Sequence, residues 1–209
     1  MVITKMTTFN IWKRLFDIVF GLFVLVLTLP VMLMIGVIIL INDGGPVLFK
    51  QKRVGKNGRL FDIFKFRTMC KDATKMLKVD PIIRKKYLEN NYKLPEGEDP
   101  RITTVGAFLR KTSLDELPQF WNVLKGDMSV VGPRPVVTGE LEEYGGHKRV
   151  FLSMKPGVTG IWQVNGRSSV GYPERVGLEL SYLEKQGLLY DIKIVFQTIW
   201  AVLKRLNAH

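Results

Sequence analysis

An uninterrupted apolar run extends from Ile18 to Ile41, with no ionisable residue inside it and basic residues on both sides. As a helix it reaches about 36 Å, and about 20 apolar residues suffice to cross a bilayer. A signal-peptide core is shorter, roughly 7–15 residues, and is followed by small residues at a cleavage site. Here the run ends instead in the turn formers Asn42, Asp43, Gly44, Gly45 and Pro46, so it reads as a permanent anchor. Lys5, Lys13 and Arg14 precede it; Lys50, Lys52, Arg53, Lys56 and Arg59 follow it. Basic flanks favour the cytoplasm, so a straight span leaves one basic group on the wrong side. Pro30, near the middle, removes a backbone hydrogen bond at a cost of about 3 kcal/mol and kinks a helix. Two readings stay open on these grounds: a helix broken at Pro30 that enters and leaves by one face, and a tilted span that tolerates its proline.

Beyond the anchor, residues 47–53 and 60–69 are β-favouring stretches around Gly55-Lys56-Asn57-Gly58, the pattern of a hairpin. Lys65 and Arg67 fall on one face of its second strand, opposite Phe64 and Phe66. Residues 70–100 are charged and irregular, with short helices predicted over 71–77 and 82–89 before a loop at 95–100. A helix over 105–110 follows. Residues 126–135 form a loop with a rigid Gly132-Pro133-Arg134-Pro135 end. A helix over 140–153 is broken by Lys155-Pro156-Gly157, and 160–167 reads as a short strand or loop. In the tail, Ile192, Val195, Phe196, Ile199, Val202, Leu203 and Leu206 recur at helical spacing. Such a stripe suits a core-facing helix and one lying in a membrane interface equally. The expected fold is mixed α/β, mostly helical with a small hairpin.

The chain has 209 residues, which allows one ordinary domain beside the membrane element. Its 31 Lys and Arg against 19 Asp and Glu give a net charge of +12. That excess suits a polyanionic partner, either nucleic acid, anionic headgroups or phosphorylated substrates, with a merely solvated basic face as the plain alternative. A single cysteine, Cys70, excludes an internal disulfide and a cysteine-based zinc site, and fits a reducing compartment. With His147 and His209 the only histidines, a histidine-rich metal site and a Ser-His-Asp triad are disfavoured. A membrane-tethered nucleic-acid-binding protein is the rival class. It needs a recognition motif or a basic helix face, and the sequence has neither.

The most informative polar cluster runs from Leu109 through Arg110, Lys111, Thr112, Ser113, Leu114, Asp115, Glu116 and Leu117 to Pro118 and Gln119. Ser113 and Glu116 stand at capping-box spacing and could merely start a helix. Pro118 then falls in the second turn, where its missing N–H is needed. With Asp115 as the cap, Pro118 lies in the first turn, where that donor is unpaired anyway. Asp115 then sits at a helix start with Glu116 beside it and Arg110 and Lys111 nearby. Helix starts and cations both favour anions, phosphates included. Two adjacent carboxylates among cations can divide labour, one attacking phosphorus and one holding Mg²⁺.

Five motifs occur in order: Lys65-Phe66-Arg67-Thr68-Met69, Asp99-Pro100-Arg101-Ile102-Thr103, the stretch from Leu109 to Gln119, Gly132-Pro133-Arg134-Pro135, and Lys155-Pro156-Gly157-Val158-Thr159-Gly160. Together they resemble the bacterial sugar transferase family, the monotopic phosphoglycosyl transferases, over nearly the whole chain from about Ile11 to Leu206. The resemblance implies transfer of a sugar-1-phosphate from a UDP-sugar to a polyprenyl phosphate, usually undecaprenyl phosphate, with release of UMP. This starts a lipid-linked glycan for capsule, O-antigen, exopolysaccharide or glycoprotein. By the family's pattern Asp115 is the nucleophile that forms a covalent acyl-phosphate sugar, and Glu116 binds the essential Mg²⁺. Lys65, Arg110 and Arg134 match positions around the dyad and its phosphates. Arg67 is balanced between a site contact and a salt bridge at the hairpin. Asp191 matches a functionally important acidic position, with helix capping an equal reading.

The resemblance further implies a monotopic membrane protein with a re-entrant helix broken at Pro30. Residues 1–45 form a tail and that helix; 46–209 form a catalytic domain carrying amphipathic interfacial helices. Both lie on the cytoplasmic face of a bacterial inner membrane. Membrane lipids are expected partners and nucleic acid is not; a homodimer is compatible with the chain. Some relatives carry Ser-Pro at the helix break, whereas this chain has Leu29-Pro30, and Thr28 is the hydroxyl available to the freed carbonyl. Only about ten residues precede the matching region, so the extra N-terminal membrane domain of larger relatives is not expected. Trp162 leans toward hexose-1-phosphate transfer, although core packing also accounts for it.

Overall fold

The computed structural model describes residues 2–89, 94, 99–166 and 170–204. The loop residues 95–98, Arg167 and Leu206 lie outside that set. The architecture is mostly helical, with two small two-stranded sheets and one long apolar N-terminal helix.

Helix α1 covers Val2–Asp43, 42 residues with Pro30 inside it, and so extends well before the apolar run. The helix runs on through the proline. The Thr28 hydroxyl donates to the Val24 carbonyl at 2.7 Å. It therefore serves the ordinary acceptor one turn back rather than the Val26 carbonyl that a proline at position 30 leaves free.

One seam of α1 is covered by the domain at two separate places. Near its start, Phe16 and Phe20 pack on the main core, which includes Val123, Met128, Val130, Val131, Ile194 and Val195. Near its end, Met32, Ile35 and Ile39 join a second cluster with Phe66, Val105, Leu109, Leu114 and Leu117. Between these clamps, Leu22, Phe23, Val26, Leu27 and Leu29 are each more than half exposed. Fully burying a side chain of this size is worth about 1.5–3 kcal/mol. A contiguous bare surface of that kind marks contact with something other than water.

The hairpin forms as expected. Strands β1 (Leu48–Val54) and β2 (Leu60–Phe66) pair antiparallel around a 3₁₀ turn at Lys56–Gly58. Asn57 and Gly58 both take positive φ there, the conformation that Asn and Gly tolerate best. Strand alternation puts Lys65 on the face of the buried Phe61 and Ile63. Helices α2 (Ala73–Val79) and α3 (Pro81–Glu89) follow. Next, α4 (Thr104–Thr112) starts where the Thr103 hydroxyl accepts from the Gly106 N–H. Gly106 is required by close approach: a Cβ there would sit 2.0 Å from the Thr68 carbonyl oxygen.

Ser113, with φ of 59°, ends α4 in a left-handed turn. A 3₁₀ turn at Leu114–Glu116 then leads into α5 (Gln119–Lys125). The second sheet is parallel, β3 (Ser129–Val131) beside β4 (Gly157–Thr159), with a 3₁₀ segment at Gly139–His147 and α6 (Lys148–Leu152) between them. The helix expected over 140–153 is thus divided, because Gly145 takes a positive φ within it. Residues 161–164 form a short helix, α7 (Ile161–Val164), where a strand or loop was expected. The chain closes with α8 (Glu174–Lys185) and α9 (Leu188–Leu203). On α9, Asp191, Ile194 and Val195 are buried, while Phe196, Ile199, Trp200 and Leu203 are exposed. Of the apolar stripe, Phe196, Ile199 and Leu203 therefore face outward, Val195 faces the core, and Ile192 and Val202 are half-buried.

Candidate active site

Asp115 is not the helix cap that its spacing suggested. It lies inside the 3₁₀ turn, and Pro118 takes the cap position of α5, where its missing N–H costs nothing. Leu117 and Pro118 keep right-handed helical angles, so the chain winds continuously from Leu114 into α5. Asp115, Glu116 and Gln119 consequently share one side of this winding.

Lys65 reaches the acidic pair from β2. Its Nζ lies 2.7 Å from Glu116 Oε1 and 4.0 Å from Asp115 Oδ2. Asp115 is 8% exposed. Burial and the adjacent Glu116 carboxylate push its pKa up to about 6, outweighing the opposite pull of Lys65 and Arg110. Arg110 itself donates from Nε to the Thr68 hydroxyl at 2.9 Å.

Beside Lys65 and Glu116 lies a small open cavity, lined by Arg53, Ile63, Lys65, Glu116, Gln119, Arg134, Pro135, Gly157, Val158 and Gln163. Its cationic wall is built from several elements. Arg53, on β1, donates to the Pro135 carbonyl at 3.2 Å, tying the hairpin to the Pro-Arg-Pro loop. Burial and the nearby guanidinium of Arg134 push Arg53 down to about 10. The Arg134 backbone N–H donates to the buried Glu179 on α8 at 3.1 Å. Glu179 also accepts from Arg175 Nε at 3.2 Å and from the Tyr144 hydroxyl. The Arg134 and Arg175 guanidiniums both lie over the Trp162 ring, 5.1 and 4.6 Å from its centre. The tryptophan is buried and holds the loop arginine in place.

The sequence-predicted residues thus divide. Lys65, Glu116 and Arg134 come together at the cavity, with Asp115 beside Lys65 and with Arg110 near enough to lower the Asp115 pKa. Arg67 and Asp191 do not. Arg67 ends at the C-terminus of α1, 2.9 Å from the Asp43 carboxylate and within hydrogen-bond distance of the Asp43 and Gly44 carbonyls. Asp191 is fully buried, 2.5 Å from Lys13 of α1 and 2.7 Å from the donating Tyr182 hydroxyl, with Gly187 rather than Asp191 capping α9. Pro30 lies in the uncovered middle of α1. Arg53, Gln119 and Gln163 were missed as cavity residues. Arg53 carried a signal only as one of the basic residues after the anchor, and Gln119 as the end of the Asp115 motif.

Among the described residues, no group of three or more His, Cys, Asp or Glu side chains forms a metal cage. A Mg²⁺ ion asks for less: one or two carboxylates, with water and substrate phosphates completing its shell. Glu116, a partly exposed carboxylate on a cavity lined by Arg53, Lys65 and Arg134, fits that demand.

A carboxylate pair facing a cationic cavity, on a domain clasped to one long apolar helix, makes a site suited to anionic molecules near an apolar surface. The chain belongs to the bacterial sugar transferase family, whose sequence profile matches residues 8–205. It is 47% identical over 201 residues to an undecaprenyl-phosphate galactose phosphotransferase of Salmonella typhimurium, covering 94% of this chain and 41% of that protein. It is 39% identical over 198 residues to a UDP-glucose:undecaprenyl-phosphate glucose-1-phosphate transferase of Escherichia coli K12, covering 90% and 39%. Against the exopolysaccharide production protein ExoY of Sinorhizobium fredii it is 41% identical over 197 residues, covering 92% and 86%. The chain thus spans about two fifths of the first two relatives and most of the third.

Proposed function

We propose that this protein transfers a sugar-1-phosphate from a UDP-sugar to undecaprenyl phosphate and releases UMP, through a covalent intermediate on Asp115. The observation that carries the reading is the buried Asp115 carboxylate beside Lys65 and Glu116, two residues that line a cavity walled by Arg53 and Arg134. Relatives named for galactose and for glucose transfer support a hexose donor.

In the first half-reaction an Asp115 oxygen attacks the β-phosphorus of the donor. The bond from that phosphorus to the bridging oxygen breaks, and UMP leaves with the electron pair. In the second, the lipid phosphate attacks the same phosphorus and the Asp115 carboxylate is regenerated. Neither step requires Asp115 to exchange a proton. Lys65 and Arg134 offset charge on the phosphoryl oxygens as they crowd together. Glu116 would hold Mg²⁺ with the donor's phosphates, and the ion would supply Lewis-acid polarisation of the diphosphate. Two displacements at one carboxylate let nucleotide depart before the lipid arrives, so ping-pong kinetics are expected.

The clamping of α1 supports a re-entrant helix. The rise from Phe20 to Ile35 is about 22 Å, yet both flanks rest on one domain. At the start, Asp17 accepts from the Ser129 hydroxyl and the Val130 N–H, each at 2.9 Å; at the end, Asp43 meets Arg67. A helix driven straight through a bilayer parts its ends by a hydrocarbon core of about 30 Å, which one domain on one face cannot bridge. The bare middle around Pro30 is the portion that dips into lipid. In this reading the domain lies on the cytoplasmic face, where UDP-sugars are supplied.

The test is Mg²⁺-dependent UMP release from UDP-galactose, UDP-glucose or UDP-N-acetylglucosamine, by the full chain in lipid nanodiscs with undecaprenyl phosphate. UMP release from at least one donor supports the reading. Its absence with all of them, in folded protein, rejects it.

A further inference from the structure

Gln119 carries an expense that packing does not explain. Its side chain lines the cavity and is 2% exposed, and its Nε2 is buried without a hydrogen-bond partner. An amide N–H left unsatisfied in the interior is destabilising, whereas an apolar side chain of the same shape would fill the space without that penalty. Ile63 and Val158, which share this wall, are apolar already. A polar residue is therefore accounted for by an acceptor that enters the cavity.

The position names the acceptor. Asp115 and Gln119 are four residues apart in a continuous right-handed winding, and Glu116 and Gln119 three apart, spacings that set side chains side by side at about 5–6 Å. For Asp115 to attack, the reacting phosphorus must come within about 3–3.5 Å of its carboxylate. The non-bridging oxygens on that phosphorus are then the acceptors within reach of a carboxamide one turn further on. The sugar and the nucleotide extend away from this point.

We propose that the Gln119 carboxamide donates a hydrogen bond to a non-bridging oxygen of the phosphoryl group transferred to and from Asp115, as a neutral member of an otherwise cationic site. This rests on the reading of Asp115 as nucleophile. A neutral donor suits the place, since Arg53 and Arg134 already crowd the same cavity and burial with mutual repulsion lowers the Arg53 pKa. Gln119 neither gains nor loses a proton in either half-reaction; its contact tightens as negative charge gathers on the oxygen it meets.

The experiment compares wild type with Gln119→Met and Gln119→Asn, each as full chain in nanodiscs, by thermal unfolding and by single-turnover UMP release. Gln119→Met should unfold at the wild-type temperature or above it, because the unsatisfied donor is gone, while single-turnover release slows about 10²–10³-fold, the usual effect of losing one such donor. Gln119→Asn, with the amide drawn back by one methylene, should retain more activity than the Met variant. Release by Gln119→Met within threefold of wild type overturns the proposal and leaves the enzymatic reading intact. A Met variant that unfolds well below wild type also overturns it, since the amide would then be holding the fold. Silence of the wild type itself rejects the enzymatic reading instead.

Discussion

Lys13 Nζ lies 2.5 Å from the Asp191 carboxylate and 3.0 Å from the Val131 carbonyl, so a residue of the N-terminal helix and one of the last helix share a buried ion pair. Val131 directly precedes Gly132-Pro133-Arg134, and the pair therefore also fixes the root of the loop that presents Arg134. The Asp191 side chain is 0% exposed, which leaves its charge nowhere to go if Lys13 is removed. We expect Lys13→Met to cost about 3–5 kcal/mol in thermal or denaturant unfolding. The double variant Lys13→Met with Asp191→Leu should recover a large part of that loss. Equal instability of the single and double variants would mean that the pair is incidental.

The acid limb of the first half-reaction should report Asp115. Its pKa lies near 6, raised by burial and Glu116, so the carboxylate needed for attack forms as pH rises through that value. Single-turnover UMP release should climb about tenfold per unit below pH 6 and level off above it. Lys65 pulls the Asp115 pKa down, so Lys65→Met should move the limb to higher pH. Stability runs the other way. The folded state holds this proton between 3.8 and about 6, where the unfolded chain has lost it. The Asp115 contribution therefore falls as pH rises through that window and is constant above it. Unfolding midpoints of wild type and Asp115→Asn across pH 4–7 measure this contribution directly.

Arg134 should not be replaceable by lysine. Its planar guanidinium stacks 5.1 Å from the Trp162 ring, and an ammonium on a flexible stem neither stacks in that way nor offers paired donors to phosphate. Arg134→Lys should lower kcat/KM for the donor about 10²-fold while leaving the unfolding temperature near wild type. Activity within threefold of wild type would remove Arg134 from phosphate binding.

Gly106→Ala should fail to fold or lose several kcal/mol. The added Cβ would lie 2.0 Å from a backbone oxygen of Thr68, and neither backbone can move aside cheaply. Gly139→Ala, where a Cβ meets nothing within 4 Å, is the matched control and should be nearly neutral.

The parts of this molecule that rest on short-range pattern were legible in its sequence. The apolar run, the hairpin around Asn57 and the grouping of Asp115, Glu116, Lys65 and Arg134 all emerged from local spacing or ordered motifs. The parallel pair β3 and β4 did not, because two three-residue strands far apart in the chain carry no periodicity of their own. Charge was legible only in total, for a related reason. The count of +12 does not say which cations face outward: Lys13, Arg67 and Arg175 are folded inward against Asp191, Asp43 and Glu179, while the excess itself stays with the rest of the molecule. Arg67 and Asp191 stood balanced between a site role and a structural one, a salt bridge for the first and a helix cap for the second; in space they pair with Asp43 and Lys13 toward the two ends of α1. Gln119 stood in the sequence only as the end of the Asp115 motif, and its buried, unpartnered amide is seen only once the chain is folded.

The central claim is that Asp115 becomes covalently phosphorylated, and one labelling experiment tests it. Wild-type protein in nanodiscs is incubated with a UDP-hexose carrying ³²P at the β-phosphate, without lipid acceptor, then denatured and separated. The account predicts label on the wild-type chain, its discharge when undecaprenyl phosphate is added before denaturation, and no label on Asp115→Asn. A wild type that releases UMP only when the lipid is present and never carries label, or an Asp115→Asn protein that labels or transfers normally, would contradict it.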